Sequence, residues 1–152
     1  MKIKNIKEIF HSFVGTWNIK RMIGTEPIGE GKAVFVLKDH ENIAYREDIK
    51  IKYPNSPMIH QAYKEYLYKY HSHEDEISKN FINDKIFYYL KFTNNKQSAN
   101  GLHLCNKDHY KAIYNFLTKN YFQISYEVHG EGKNYVISTE FTKIDGSNHS
   151  DI

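Results

Sequence analysis

This chain of 152 residues has a single cysteine, no long apolar segment and no concentrated patch of basic residues. Cys105 has no second cysteine to pair with, so an internal disulfide is excluded and a reducing compartment is indicated. No stretch approaches the roughly 20 apolar residues that span a bilayer, and the amino terminus lacks the apolar core of a signal peptide. We therefore expect a cytoplasmic protein without a membrane span.

The charge of the chain is small and evenly spread. The formal net charge is +3, and lysines are interspersed with Asp and Glu throughout. A nucleic-acid-binding domain instead concentrates its basic residues on one face or stripe. The composition therefore predicts no nucleic-acid partner.

Aromatic residues make up 15% of the chain, with 13 Tyr and 9 Phe but only one Trp. Tyrosine combines a large apolar ring with a hydroxyl group that needs a hydrogen-bond partner when it is buried. Such an excess is typical of β-sheet surfaces and also suits the lining of a cavity. The composition alone leaves both interpretations open.

The pattern predicts one domain over residues 1–145, followed by a disordered tail at 146–152. Apolar residues at helical spacing predict a short amphipathic helix over residues 2–13, packed over one end of the domain. From Thr16 onward the dominant period is two, and turn-rich stretches lie at 24–32, 93–101 and 129–134. The ten predicted strands are 16–23, 33–39, 43–53, 60–70, 77–82, 85–92, 102–110, 111–117, 121–128 and 135–144.

This organisation predicts an all-β fold, a single antiparallel up-and-down barrel of about ten strands. A sandwich is the competing architecture, but closely spaced hairpins can connect all the strands, and closure removes exposed strand edges. The sequence "GEGK" at 29–32 lacks the spacing of a phosphate-binding loop and is interpreted as a turn.

Strand alternation places a charge of each sign on a face that is otherwise apolar. In the first strand Arg21 shares a face with Trp17 and Ile19, and in the third strand Glu47 shares a face with Tyr45 and Ile49. One buried charge alone would be prohibitive, whereas two of opposite sign can coexist if they meet. They are either an ion pair that braces the strands or a polar anchor for a ligand in a cavity.

The tyrosines are interpreted in the same way. Tyr110 shares a face with Tyr114 and Phe116, and Tyr126 shares a face with Phe122 and Val128. In "YKEYLYKY" (63–70) and "FYY" (87–89) the alternation does not decide which set points inward. Tyrosine rings and hydroxyl groups on the inner face have two interpretations. They line a cavity for a planar or amphipathic organic ligand, or they simply fill the interior of the barrel.

Two stretches resemble a known family. A short helix that runs into Gly15-Thr16-Trp17 resembles the opening of the lipocalins and the wider calycin superfamily. The carboxy-terminal half, "HLCNKDHY" and "YEVHGEGKNYVISTEFTKI", resembles the family catalogued as domain of unknown function 6314. The positions that match its pattern are His103, Cys105, Asp108, Tyr110, Val128, Gly130, Lys133 and Tyr135, and "GTWNIKRMI", "GEGKAVF" and "YRED" match as well.

The resemblance covers most of residues 10–144 and implies a lipocalin-like (calycin) barrel in which Gly15 permits a turn and Trp17 closes one end. Two positions depart from the family pattern. Glu131 stands where proline is usual, and Lys143 stands where an arginine often covers the tryptophan ring. We expect the lysine to weaken that cation–π cover. The resemblance implies the fold and carries no particular activity.

Histidine and cysteine are too few on any one face to predict a metal site. His103 and Cys105 lie two apart on one strand, but a metal needs three or four such ligands, and Cys105 is interpreted as a buried structural residue. His71 and His73 belong to a polar turn. No cofactor is predicted, although some calycin-like barrels hold haem through one histidine, for which His103 and His129 are the candidates.

The leading prediction is a cytoplasmic small-molecule-binding barrel that holds a small hydrophobic or amphipathic organic molecule. The predicted ligand contacts are Arg21, Tyr45, Glu47, His103, Tyr110 and Tyr126. An alternative is a calycin-type isomerase, cyclase or decarboxylase, with Glu47 or His103 as general base and Arg21 and Tyr45 stabilising a carboxylate or enolate. A third is an interaction protein with a filled core. The sequence sets neither the ligand nor the oligomeric state.

Overall fold

The computed structural model describes residues 5–105 and 107–144, where the chain forms one short helix and ten strands. The predicted tail (146–152), the predicted start of the helix (2–4) and the side chain of Cys105 lie outside what the structure describes. In the described part, no helix is long and apolar enough to cross a membrane. The elements are α1 (Ile6–Ser12), β1 (Gly15–Ile23), β2 (Glu26–Asp39), β3 (Asn42–Ile51), β4 (His60–His71), β5 (Glu76–Asn80), β6 (Ile86–Phe92), β7 (Ser98–Cys105), β8 (Asp108–Thr118), β9 (Tyr121–Gly130) and β10 (Lys133–Lys143).

The strands form a closed antiparallel barrel. Each strand pairs with the next one in sequence, and β1 also pairs with β10, so the sheet has no free edge. The predicted fold class, an all-β up-and-down barrel of ten strands with a short helix, is confirmed. Closure brings Arg21 of β1 opposite Thr139 of β10.

The predicted turn over 24–32 is wrong for most of its length. β2 begins at Glu26 and pairs with β1 and β3 through Gly29 and Gly31, so "GEGK" is strand rather than turn. The glycines are needed for space, because a side-chain carbon at Gly31 would overlap the backbone carbonyl of Asp48 in β3. They therefore mark a close approach of two strands, a role that glycine also plays inside sheets.

Two other predicted loops are shorter than expected for a related reason. Residues 98–101 of the predicted loop 93–101 belong to β7, where a side-chain carbon at Gly101 would overlap the ring of Tyr88. Of the predicted turn 129–134, only residues 131 and 132 are turn. In both places the small and polar residues that predict a loop lie within paired strands.

The helix and a cluster of aromatic rings fill one end of the barrel. Asn5 caps α1, its side-chain oxygen accepting from the Glu8 amide at 2.8 Å. Phe13, just after the helix, stacks on Phe35 with ring centroids 5.4 Å apart. This confirms the predicted helix over the end of the barrel, here called the closed end.

Trp17 anchors the closed end. Gly15 precedes it with a φ of 138°, a conformation that side chains rarely adopt. The indole Nε1 donates to the Phe13 carbonyl at 2.9 Å, and the ring is 1% exposed. The Lys143 Nζ lies 4.9 Å from the ring centroid and also donates to the Ser12 carbonyl, so the lysine keeps a cation over the tryptophan.

The structure decides the two ambiguous tyrosine faces. Tyr68 and Tyr70 of β4 are buried, whereas Tyr63 is 61% exposed. In β6, Tyr88 is buried and Tyr89 is 42% exposed. In β4 the inward set is therefore the one that carries most of the rings, whereas in "FYY" the single Tyr88 is the buried ring.

Replacement of Gly31 by alanine should destabilise the barrel by about 2 kcal/mol or more, because the new methyl group meets backbone rather than a movable side chain. Urea unfolding measures the effect. The control is Lys32→Ala, an exposed neighbour in the same strand, which should change the free energy of unfolding by less than about 0.5 kcal/mol. Equal stability of the two variants would contradict the close approach of β2 and β3.

Candidate functional site

Arg21 and Glu47 meet inside the barrel. Arg21 Nη1 donates to Glu47 Oε2 at 2.7 Å, and Nη2 donates to Oε1 at 2.8 Å, which is a bidentate pair. The side chains are 11% and 4% exposed respectively. Strand alternation alone predicted that both head groups face the interior, and the structure brings them together.

Two hydroxyl groups add further hydrogen bonds to this pair. Tyr45 Oη donates to Glu47 Oε1 at 2.6 Å, and Arg21 Nε donates to Thr139 Oγ1 at 2.9 Å. Burial by itself would raise the Glu47 pKa, but the hydrogen bonds and charge of Arg21, helped by Tyr45, hold that pKa below its ordinary value. Burial likewise opposes the Arg21 charge, and Glu47 outweighs it and raises the Arg21 pKa. Both groups are therefore charged at neutral pH.

The pair faces a cavity of about 370 Å³ at the end of the barrel opposite α1, here called the chamber. Its aliphatic wall includes Ile28, Ile49, Val128 and Ile137. Exposed lining residues mark the open end of the chamber, among them Tyr53 and Lys64. The barrel thus has a closed end filled by rings and an open end with a mixed polar and apolar lining. Among the residues that the structure describes, the chamber lining is Arg21, Ile28, Glu47, Ile49, Ile51, Tyr53, Ala62, Lys64, Tyr66, Lys79, Phe87, Tyr110, Tyr126, Val128, Tyr135, Ile137 and Thr139.

Lys79 of β5 is a chamber residue that the sequence analysis missed. It is 5% exposed, and its Nζ lies at hydrogen-bond distance, 2.9 Å, from Tyr126 Oη and 4.1 Å from the centroid of the Tyr66 ring. Burial lowers its pKa to about 7, with the charge of Glu47 opposing the shift and Lys64 and Arg21 adding to it. The sequence did contain a signal for Lys79. By strand alternation Lys79 shares a face with Ile77 and Phe81, just as Arg21 shares a face with its apolar neighbours.

A chain of buried phenols runs from Lys79 towards the closed end. Tyr126 Oη lies 2.6 Å from Tyr88 Oη, which lies 2.6 Å from Tyr114 Oη, which in turn lies 2.8 Å from Tyr68 Oη. Burial raises the pKa of each of these phenols, so all four are protonated at neutral pH. The excess of tyrosine thus forms a connected hydroxyl network rather than isolated rings.

The structure divides the six predicted ligand contacts into two groups. Arg21, Glu47, Tyr110 and Tyr126 line the chamber. Tyr45 and His103 do not, and Tyr45 lies behind Glu47 at 4% exposure. These placements concern position, and the ligand-binding role of each residue stays a prediction.

The two histidines considered for haem lie elsewhere. The Nδ1–H of His103 donates to the Phe87 carbonyl at 3.0 Å, and the residue is not part of the chamber lining. The His129 side chain is 58% exposed on the outer face of β9, because it follows the inward-facing Val128. The prediction of His129 as an axial ligand inside the barrel is therefore wrong. Among residues 5–105 and 107–144, no three His, Cys, Asp or Glu residues are grouped so as to hold a metal ion.

A larger concavity, about 780 Å³, lies on the outer surface across β1 to β4. Most of its lining consists of outward-facing polar residues, including Asn18, Lys32, Asp48 and Lys50. None of its described lining residues is a buried ionisable group comparable to Arg21, Glu47 or Lys79, so the chamber is the better candidate site.

The strands form a closed ten-stranded up-and-down barrel, and its inward polar groups line an interior chamber. A family model, described as a family of unknown function (DUF6314), matches residues 13–143, and the chain belongs to that family. The resemblance drawn from the sequence is therefore confirmed. No curated protein matches this chain in sequence.

Solved structures of similar fold include the S-type phycobiliprotein lyase CPES from Guillardia theta. It matches with a TM-score of 0.62 at 9% identity, over 94% of each chain. Two other barrels match less well. A fluorescence-activating barrel designed de novo has a TM-score of 0.47 at 10% identity, over 88% of this chain and 95% of that one. The barrel EF1p2_mFAP2b, solved bound to DFHBI, has a TM-score of 0.48 at 8% identity, over 92% and 100%. The likeness to the lyase shows a shared fold.

Replacement of Arg21 by methionine should cost about 3–5 kcal/mol of unfolding free energy, because it leaves the Glu47 charge buried and unpaired. The double variant Arg21→Met/Glu47→Gln should recover more than half of this loss, since the amide carries no charge and still accepts from Tyr45. Urea unfolding of wild type, both single variants and the double variant closes the cycle. Additive losses would show that the two groups do not interact.

Acid should remove the contribution of this pair. Because the folded-state pKa of Glu47 lies below its unfolded value, the stabilisation is complete above about pH 4.3, the ordinary glutamate pKa, and is lost as the pH falls through the lower folded value. The free energy of unfolding of wild type relative to Arg21→Met/Glu47→Gln should therefore fall as the pH drops below about 4. A pH-independent difference would contradict an ionised Glu47.

Proposed function

We propose that this protein is a small-molecule-binding barrel that holds a partly apolar organic ligand in the chamber, with the Arg21–Glu47 pair as its polar anchor. The observation that carries the proposal is the position of that pair in the wall of an open chamber of about 370 Å³. A solid core needs no such space, whereas ligand pockets typically occupy a few hundred Å³ or more and combine apolar walls with a few polar groups. The cytoplasmic location predicted from the sequence is part of this proposal.

Arg21 retains hydrogen-bonding capacity for a ligand. A guanidinium carries five N–H donors, and the three hydrogen bonds to Glu47 and Thr139 use three of them. The other two are available to an acceptor in the chamber, such as a carbonyl, carboxylate or phosphate oxygen. Ile28, Ile49 and Ile137 supply the apolar surface for the rest of the ligand.

A general-base role for Glu47 fits this geometry less well. Both of its oxygens accept short hydrogen bonds from charged or phenolic donors, and these lower its basicity. His103, the other candidate base, donates to a backbone carbonyl outside the chamber lining. Ligand binding is therefore the function that we propose, in preference to the isomerase, cyclase or decarboxylase alternative.

The test uses N-phenyl-1-naphthylamine, a neutral dye that fluoresces strongly in apolar surroundings. Wild-type protein should bind it saturably. Ile137→Trp, which fills the chamber from its wall, should weaken binding at least about tenfold, equivalent to about 1.4 kcal/mol.

Val136→Trp is the matched control, because Val136 is the preceding residue of β10 and is 39% exposed on the outer face. It should bind the dye within twofold of wild type. Equal weakening by both variants, or no saturable binding by the wild type, would overturn the proposal.

A further inference from the structure

Lys79 is a buried amine that forms no ion pair with a carboxylate. No Asp or Glu lies within salt-bridge distance of its Nζ among the described residues, and Glu47, the acid that influences it electrostatically, is bound on both oxygens by Arg21. A buried, unpaired ammonium is costly, and lysine responds by giving up its proton. The setting of Lys79 therefore differs from that of every exposed lysine in the described part of the chain.

The phenol chain favours the neutral amine independently. If Nζ is an ammonium, it donates to Tyr126, and the three hydrogen bonds between the phenols use only three of the four hydroxyl protons. When each phenol donates away from Lys79, the proton left over is that of the Tyr68 hydroxyl at the end of the chain. That hydroxyl has no hydrogen-bond partner except Tyr114 among the described residues, and Tyr68 is 1% exposed. The terminal proton is then buried and unsatisfied, which disfavours this arrangement.

The opposite orientation leaves no hydroxyl unsatisfied. Tyr68 donates to Tyr114, Tyr114 to Tyr88, Tyr88 to Tyr126, and Tyr126 to the lone pair of Lys79 Nζ. Each of the four hydroxyl protons then has an acceptor, which requires an uncharged amine at the end. The lowered Lys79 pKa of about 7 agrees with this arrangement.

We propose that Lys79 captures a carbonyl-containing ligand of the chamber covalently, as a reversible imine. A neutral, desolvated lysine amine in a cavity wall is the nucleophile that imine formation needs, and Lys79 is both part of the chamber lining and buried. The inference rests on the proposed ligand-binding function and adds the chemical class of the ligand, an aldehyde or ketone.

The step balances without any co-reactant. The Nζ lone pair attacks the carbonyl carbon, a C–N bond forms, and the carbonyl oxygen takes up a proton to give a carbinolamine. Loss of the second amine proton and departure of the hydroxyl group as water form the C=N bond. The Tyr126 hydroxyl, 2.9 Å from Nζ, is placed to pass protons between nitrogen and oxygen.

The surroundings of Nζ select a planar, conjugated carbonyl compound. The Tyr66 and Phe87 rings are stacked at an interplanar angle of 22°, and Phe87 and Tyr126 at 11°. The Nζ lies between 4.1 and 6.0 Å from the centroids of six aromatic rings. Nearly parallel rings of this kind pack well against a flat ligand. The faces of the rings around Nζ also stabilise the positive charge of a protonated imine.

The experiment uses 2-naphthaldehyde with sodium cyanoborohydride at pH 7 on the full-length protein, followed by intact-mass measurement and peptide mapping. This aldehyde is planar, and it has no α,β-unsaturated alkene to which a cysteine thiol could add by conjugate addition. Wild type should gain a reduced adduct on Lys79 at least about tenfold faster than on any other lysine, because burial lowers the pKa of Lys79 and favours its neutral, nucleophilic amine. N-phenyl-1-naphthylamine should protect against labelling.

Lys79→Met should lose this adduct, while Lys91→Met, an exposed lysine on β6, should label as wild type does. Ile137→Trp keeps Lys79 but fills the chamber, so it should also lose fast labelling, and it covers the case in which Lys79→Met fails to fold. Adducts spread over exposed lysines, or none on Lys79, would overturn the inference. If the dye still binds in that case, the proposed binding function stands and only the imine is wrong.

Discussion

The hydrogen-bonded ion pair between Arg21 and Glu47 is the interaction on which the rest of the chamber depends. Each charge, taken alone, would be intolerable between strands of a barrel this apolar, and the bidentate geometry makes the two tolerable together. Together with Thr139 and Tyr45, the pair forms a polar part of the chamber wall, and two of the five Arg21 N–H donors are not used by these partners. Aromatic side chains fill the barrel on the helix side, and the chamber lies on the opposite side.

This division gives the two ends of the barrel different physical roles. Phe13, Trp17 and Phe35 interlock at the closed end and supply much of the buried apolar area. The open end combines aliphatic walls with the ion pair, an additional buried amine and exposed rim residues. The phenol chain from Tyr68 to Tyr126 joins the two ends and carries hydrogen bonds from the packed core to the chamber.

Period-two alternation, together with the short turns between strands, was enough to predict the strand number and the closed barrel, and alternation predicted the inward direction of Arg21 and Glu47. It could have found Lys79 too, since the same rule applies to "ISKNF" in β5 and the residue after it. It should also have rejected His129, whose neighbour Val128 was already assigned to the inner face. Alternation cannot predict where two strands or a strand and a ring approach closely. Gly29, Gly31 and Gly101 resemble turn residues in the sequence, whereas in the barrel they make room for a neighbouring backbone or ring. Nor can it reveal that His103 turns to the Phe87 carbonyl, because that choice depends on packing from another strand.

The most direct measurement of the central claim, that one end binds while the other is packed, is NMR of isoleucine δ1-methyl groups during titration with N-phenyl-1-naphthylamine. The account predicts shifts in the chamber methyl groups and none in the buried methyl groups away from the chamber or in the exposed ones. The chamber set is Ile28, Ile49, Ile51 and Ile137, the buried set is Ile9, Ile43 and Ile77, and the exposed set is Ile59, Ile82 and Ile86. Shifts confined to the exposed set, with the chamber methyl groups unmoved, would contradict it.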